Sequence, residues 1–194
     1  MRPAALLLLA ALLPAMATAQ PQPDPDWPCV QRLVPRLAAG VLWPGLAEGD
    51  WHGEPSVAAL VARIAPRGVE EPTGLAAIHD FAAPLGAEAR RRLLPLAFTG
   101  ALEETNRQRD ALIEQLRRFA RRQRDLAAQV RGLEAELRAA PEPAREELTQ
   151  RHFFAAKSYT DAERTLRYAC EAPVRLEARL GAYARALRAA LPPD

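Results

Sequence analysis

Apolar residues spaced alternately three and four positions apart constrain the fold of this chain more than any other feature. From residue 112 to residue 137, all members of this series except Gln123 are apolar. The series is Leu112, Leu116, Phe119, Gln123, Leu126, Val130, Leu133 and Leu137. Its mean spacing of about 3.5 residues is the period of a coiled-coil seam. The sequence predicts a long helix over residues 87–140 that either kinks at Pro95 or ends and restarts there.

A second series with the same period follows a proline-rich turn. Pro141-Glu142-Pro143 should end the first helix and start the next, because proline cannot donate a hydrogen bond inside a helix but fits the first turn. The second series is Leu148, His152, Ala155, Tyr159, Ala162, Leu166, Ala169, Pro173, Leu176, Leu180, Tyr183, Leu187 and Ala190. It predicts a helix over residues 143–191, kinked at Pro173. Because the turn is short, the two helices should pack antiparallel as a hairpin.

The two flanks of the seam differ in polarity. One flank is nearly all apolar: Ile113, Ala120, Ala127, Ala156, Cys170 and Ala184. The other is polar: Gln115, Arg122, Gln129, Glu136, Arg151 and Arg179. A two-stranded coil in water would have two polar flanks, so the apolar flank predicts a third element packed against it. We expect residues 20–35 to be that element, an extended N-terminal clip with Trp27 beside Ile113.

Residues 1–19 have the pattern of an export signal. Arg2 precedes an uninterrupted apolar run over residues 4–13, and Ala17-Thr18-Ala19 supplies a cleavage site of small residues. The alternative is an uncleaved anchor or a buried helix. The run is shorter than the ~20 residues that span a bilayer, so we expect no transmembrane anchor after cleavage. The sequence therefore predicts export to the periplasm.

The chain has two cysteines, Cys29 and Cys170. In an oxidising compartment such a pair normally forms a disulfide, and two cysteines allow one intramolecular connectivity. They are far apart in the sequence, unlike the Cys-x-x-Cys pairs of catalytic dithiols. We predict a structural disulfide that joins the clip to the second helix. An intermolecular bridge or two reduced thiols are the alternatives.

Residues 36–86 are less regular and contain Trp43 and Trp51. Short helices are predicted over residues 56–64, with Ser56 as N-cap, and over residues 70–81. Together they would form a small helical head at the open end of the hairpin. The predicted fold class is therefore all-α, a long antiparallel coiled-coil-like helical hairpin with a small helical head and an N-terminal extended clip.

The sequence contains no motif for catalysis or cofactor binding. Its three histidines, His52, His79 and His152, have no His or Cys neighbour at metal-ligand spacing. It has no P-loop, dinucleotide-binding fingerprint or nucleophile elbow. We therefore expect no enzyme activity, no metal and no cofactor.

Arginines cluster along the first long helix. Between residues 107 and 124 there are seven arginines and two acids. Five of these arginines fall on the outer face of the helix: Arg107, Arg117, Arg118, Arg121 and Arg124. We call these five the basic stripe. The stripe could bind an unidentified envelope protein or an anionic envelope surface, or it could be an ordinary solvated face. Nucleic acid is not expected, because export separates the chain from it and no aromatic residues interleave with the arginines.

These features favour a non-enzymatic periplasmic protein that acts as an adaptor or scaffold in a cell-envelope complex. A second hypothesis is a periplasmic holdase-type chaperone. The chain is similar in size and charge to basic coiled-coil hairpins that bind unfolded outer-membrane proteins, but it lacks their strand-rich oligomerisation body. A third hypothesis is a metal- or ligand-binding protein that uses the head around Trp43 and Trp51. Formation of a homo-oligomer is left open.

Overall fold

The computed structural model describes residues 24–46 and 49–193. The described residues form six helices and no strand: α1 Ala39–Leu42, α2 Pro55–Ile64, α3 Glu71–Ala82, α4 Ala87–Ala139, α5 Glu142–Ala169 and α6 Glu171–Ala189. The predicted all-α fold class is confirmed. The predicted signal peptide and residues 20–23 of the clip lie outside the described residues.

Helix α4 is the longest element of the molecule. Its 53 residues extend over about 80 Å at 1.5 Å per residue. The helix continues through Pro95, whose carbonyl accepts a hydrogen bond from the Thr99 hydroxyl at 3.1 Å. Helix α5 begins after Ala140 and Pro141 and returns along α4, so that His152 Nε2 lies 3.5 Å from Glu134 Oε1. Every position of the two predicted apolar series is buried or half-buried, as a seam requires.

The predicted second helix is divided into α5 and α6. Cys170 lies between them, with φ −63° and ψ −20°, and Pro173 is the third residue of α6. Proline at position 173 cannot donate to the carbonyl of Ala169, so the hydrogen-bond ladder is interrupted one turn before the proline. The interruption separates α5 from α6 at Cys170, next to the carbonyl of Ala169.

The head is built on the open end of the hairpin. Helix α2 packs against α4 and α3, and α3 packs against α6, which in turn packs against α4. The four helices therefore form a ring around one apolar core. Its most deeply buried side chains come from all four: Val57, Ile64, Ile78, Leu94, Phe98, Leu180 and Leu187. Consequently, the head shares its core with both sides of the hairpin, through α4 and α6.

Two details predicted from the sequence are wrong, one in the head and one in the hairpin. Glu54, not Ser56, is the N-cap residue of α2, and Ser56 is inside the helix because Pro55 occupies the first helical position, which proline favours. Arg179 belongs to the flank of the hairpin predicted to be polar, but it is 8% exposed. Its guanidinium is buried because it donates to the carbonyls of Ala65, Pro66 and Val69 in the turn after α2.

Within the described ranges, no helix combines the length and the apolar character that crossing a membrane requires.

Candidate functional site

The clip is joined covalently to the hairpin where α5 meets α6. Cys29 and Cys170 form a disulfide with a Cα–Cα distance of 5.6 Å, which closes a loop with a sequence separation of 141 residues. The side-chain amide of Gln31 donates to the carbonyl of Cys170. The predicted intramolecular disulfide is thus confirmed, and it fixes one end of the clip to the break between the helices.

Two aspartates of the clip bind arginines of the basic stripe. Asp24 pairs with Arg117 at 2.8 Å, and Asp26 pairs with Arg121 at 2.7 Å and with Arg124. The pKa of Asp24 is lowered mainly because the Asp26 backbone N–H donates to it, and also because Arg117 does. The pKa of Asp26 is lowered by hydrogen bonds from Arg121 and Arg124. Three of the five stripe arginines therefore hold the chain's own clip.

The other two stripe arginines have neighbours within α4. Arg107 pairs with Glu104, three residues earlier in the helix. Arg118 lies 3.4 Å from Glu114, four residues earlier. Both arginines are exposed, and exposed pairs of this kind contribute at most ~1 kcal/mol to stability. Arg107 and Arg118 are thus the stripe residues best placed to meet another molecule.

The acids that partner the stripe were not singled out from the sequence, although a signal was present. Asp24 and Asp26 occupy alternate positions in Pro-Asp-Pro-Asp, a few residues before Cys29. A disulfide from Cys29 to the hairpin brings this acidic segment beside a helix rich in arginine. Charge matching between the two segments would have predicted the ion pairs.

The packing pair proposed for the clip consists of Trp27 and Ile113. Ile113 is buried, whereas Trp27 is half-buried and donates its indole N–H to the carbonyl of Gln31 at 2.8 Å. A direct contact between Trp27 and Ile113 stays a prediction. The apolar flank on which Ile113 lies is buried or half-buried at every position that defined it.

A buried arginine that sequence reasoning left without a role ties the clip to both helices. Arg109 is 4% exposed and donates to the carbonyl of Val34 at 2.8 Å and to that of Pro173 at 2.9 Å. Its pKa is lowered by burial, while the carboxylate of Glu177, 3.7 Å away, acts in the opposite direction. A heptad pattern does not distinguish this arginine from the solvated arginines around it.

Beyond the clip, α4 and α5 pair alone over residues 125–158, which we call the arm. Because only these two helices pack together in the arm, burial along their seam is uneven. Leu126 is half-buried, whereas Leu133 is 4% exposed. Phe153 and Phe154 lie on the surface of the arm with 61% and 64% of their area exposed. Their rings are 5.5 Å apart in an edge-to-face arrangement. The arm therefore presents an aromatic pair to solvent.

The side chains of the head are arranged for packing. Trp43 is buried with its ring 5.2 Å from that of Phe98, and Trp51 donates its indole N–H to Glu103 at 2.8 Å. His52 and His79 each lie beside a single aspartate. In the part of the chain that the structure describes, no three His, Cys, Asp or Glu residues are grouped so as to hold a metal ion.

Comparisons of the chain with protein-family models, with curated proteins and with solved structures gave no match.

Proposed function

We propose that this chain is an exported, non-enzymatic adaptor or scaffold that contributes its helical arm to a cell-envelope complex. The observation that carries the proposal is the exposed aromatic pair of Phe153 and Phe154 on the arm. An intramolecular disulfide is typical of proteins in oxidising compartments, which supports a periplasmic location.

Exposed phenylalanines are costly in an isolated protein and useful at an interface. Each phenylalanine side chain that leaves water contributes roughly 1.5–3 kcal/mol, and aromatic residues are enriched in the cores of protein–protein interfaces. Two such rings on adjacent residues form one apolar contact point. Their polar surroundings, which include Arg151 and Lys157, are typical of an interface rim.

The construction of the arm suits a docking element. Its two helices are connected by a turn of two residues, Ala140 and Pro141, and its base is held by the disulfide and by Arg109. A surface that is already ordered before binding loses little conformational entropy when it docks, which favours affinity. The arm is therefore a pre-organised platform rather than a segment that must fold on its partner.

Site-specific photocrosslinking in the periplasm tests this proposal. A photoreactive side chain in place of Phe154 should give one discrete crosslinked species, and the same group in place of exposed Arg164 on α5 should give none. The double substitution Phe153→Ser/Phe154→Ser should abolish the crosslink formed from a neighbouring position of the arm. It should leave the melting temperature unchanged or slightly raised, because both rings are exposed. Equal crosslinking from both positions would contradict the proposal.

The holdase hypothesis is supported by apolar residues exposed elsewhere on the chain. These are Val30, Val34, Val41, Tyr168 and Val174. A holdase would suppress aggregation of an unfolded outer-membrane barrel at near-stoichiometric ratios and would give many crosslinked products. Activity of that kind, retained by the Phe153→Ser/Phe154→Ser variant, would favour the holdase over the adaptor.

The basic stripe remains a candidate second contact, toward an acidic envelope protein or an anionic envelope surface. Reversing Arg107 and Arg118 to Glu would test it without disturbing the three arginines that bind the clip. A docking role predicts weaker partner capture and a reduced dependence on salt, since exposed charges are screened over ~8 Å at physiological ionic strength. Unchanged capture would make the stripe a solvated face.

A further inference from the structure

An apolar groove interrupts the flank of the hairpin that faces away from the clip. Its volume is about 410 Å³, and it lies between α4 and the break that separates α5 from α6. The apolar side chains that line it are Leu112, Leu116, Phe119, Ala169 and Ala172. The sequence predicted a polar flank here, because Gln115 and Arg122 occupy the flank positions. These two residues, with Arg118, instead line a groove with an apolar interior.

The groove arises from a difference in side-chain size and from the proline at position 173. Ala169 and Ala172 are small residues that lie opposite Leu112, Leu116 and Phe119, so the two helix surfaces do not fill the space between them. Pro173 prevents an unbroken helix at this level, and α5 gives way to α6 at Cys170. The gap is therefore built into the place where the helix is interrupted.

The charges at the groove have a single sign. Arg118 and Arg122 are exposed and line it, while no aspartate or glutamate does. Arg118 has one weak contact with Glu114 at 3.4 Å. Arg122 has no carboxylate within 4.0 Å among the described residues. Leu112 and Leu116 form the floor of the groove and are only 7% and 3% exposed, whereas Phe119 is half-buried. An apolar ligand that carries a negative charge at one end would thus lie over this floor against Phe119 and place its charge beside two guanidinium groups.

The walls of the groove favour an aliphatic chain over an extended peptide. Both walls are helical, so apart from the carbonyl of Ala169, which Pro173 cannot pair, their backbone N–H and C=O groups are largely satisfied within the helices. An extended peptide needs main-chain partners, as in β-strand addition, whereas an acyl chain needs none. The volume also lies within the range of about 300–1,000 Å³ that is typical of small-ligand sites.

We propose that this groove binds a single-chain amphiphilic anion, an acyl chain with one carboxylate or similar head group, with Arg118 and Arg122 at the head group and Leu112, Leu116 and Phe119 along the chain. The site shares Arg118 with the basic stripe, but it is separate from the aromatic pair of the arm and does not depend on the adaptor function proposed above. Arg122 lies outside the basic stripe, so Arg122→Gln tests the groove alone.

Titration calorimetry of the full mature chain with dodecanoate, below the concentration at which it forms micelles, tests the proposal. We expect saturable binding with one ligand per chain, and an affinity at least tenfold weaker for dodecyltrimethylammonium, which has the same chain and the opposite charge. Equal affinity for the cation would overturn the proposal. Binding to anionic phospholipid vesicles without affinity for monomeric dodecanoate would also overturn it.

Two sets of variants locate the site. Ala172→Phe should fill the groove and reduce affinity for dodecanoate at least tenfold, whereas Ala128→Phe, at an exposed alanine of the arm, should leave it unchanged. Arg118→Gln/Arg122→Gln should weaken binding by up to roughly 25-fold, because each exposed ion pair contributes up to ~1 kcal/mol, about fivefold in affinity. Both side chains are exposed, so this second variant should keep the fold, and it decides the matter if Ala172→Phe is unstable. Unchanged affinity in the arginine variant would overturn the proposal.

A second copy of the chain is the rival occupant of the groove. Light scattering over a range of protein concentrations distinguishes it. A dimer that Ala172→Phe dissociates and Ala128→Phe does not would assign the groove to self-association and overturn the proposal. A monomer that binds dodecanoate as described above would support it.

Discussion

The guanidinium of Arg179 on α6 donates a hydrogen bond to the carbonyl of Ala65, 2.8 Å away, at the end of α2. The same side chain donates to Pro66 at 2.9 Å and to Val69 at 2.8 Å. One arginine thus donates to three carbonyls of the turn between α2 and α3, and two of these, Ala65 and Pro66, also accept from Gln108 Nε2 and from the Val69 N–H. It holds the head against the hairpin by polar contacts, in addition to the apolar core beneath it.

Replacing Arg179 with Met should therefore destabilise the head. The variant keeps the apolar stem but removes three hydrogen bonds. The carbonyls of Ala65 and Pro66 keep a second donor, in Gln108 Nε2 and the Val69 N–H, whereas the carbonyl of Val69 loses its side-chain donor. An unsatisfied buried polar group costs ~1–3 kcal/mol. Urea unfolding should give a loss in that range. Arg175→Met is the matched control, because Arg175 is exposed and pairs only with Glu171 on the same helix. Similar losses in the two variants would contradict the role given to Arg179.

Loss of the disulfide should lower the free energy of unfolding by ~2–5 kcal/mol. The bond closes a long loop, so most of this effect arises from the greater freedom of the unfolded chain. Cys29→Ser and Cys170→Ser should have equal effects in thermal and urea unfolding under oxidising conditions. Two reactive thiols per chain in protein purified without a reducing agent would refute the assignment.

Truncating two leucines in the seam of the arm should lower the free energy of unfolding by different amounts. Leu133→Ala should cost ~2–4 kcal/mol, since Leu133 is 4% exposed and its removal leaves a cavity. Leu126→Ala should cost less, because Leu126 is half-buried and water can enter the space. Urea unfolding of the two variants measures the difference. Equal and small losses would mean that the helices of the arm are not paired in this register.

Two helical glycines should respond in opposite directions to alanine. A Cβ at Gly74 on α3 would overlap the ring of Tyr183, which is 2% exposed and cannot move aside. Gly74→Ala should therefore destabilise by ~1–3 kcal/mol. Gly132 is exposed, and a Cβ there meets nothing within 4 Å. Gly132→Ala should stabilise by up to ~1 kcal/mol through helix propensity. The signs of the two changes in melting temperature are the test.

Acid should loosen the clip. The pKa values of Asp24 and Asp26 are lowered in the folded state from the ordinary value of 3.8. The folded state therefore binds fewer protons than the unfolded state. The stabilisation from these groups is fully present above that value and is lost as the pH falls below it, through the folded pKa values. Hydrogen exchange of the Trp27 indole N–H should accelerate in this window.

The variant Asp24→Asn/Asp26→Asn is the control for the acid response. It should show rapid exchange of the Trp27 indole even at neutral pH, because its amides cannot pair with Arg117, Arg121 and Arg124 as carboxylates do. The disulfide keeps the clip tethered in both proteins, so the overall fold should persist. A variant that exchanges as slowly as the wild type would show that the ion pairs do not hold the clip.

The sequence was sufficient for the parts of the fold that depend on periodicity. The 4–3 spacing of apolar residues places every seam position, and Pro141 places the turn, because both follow from helix geometry alone. Burial in the head was harder to infer, since it depends on which helices meet. In the heptad pattern, Arg179 occupies a position on the polar flank. It is buried because the turn between α2 and α3 packs against it.

The candidate sites, like the fold, could be predicted from the sequence only in part. The disulfide could be predicted because two cysteines leave one connectivity. The groove beside Ala172 could not, because it arises from the difference in size between residues on two helices whose exact facing pairs the sequence does not specify. The sequence shows that Phe153 and Phe154 are adjacent. Their exposure could not be predicted from it, because it depends on whether another element covers the arm.

The bond between Cys29 and Cys170 also determines how the molecule carries mechanical load. If the chain is pulled from Asp24 and Pro193, tension travels through five residues, crosses the sulfur bridge and continues along α6. The whole stretch between the two cysteines, including the arm, is outside this path. A stretched molecule would therefore begin to lose α6 from the head while the arm bore no force. Under tension applied at these two ends, the arm would therefore keep its shape.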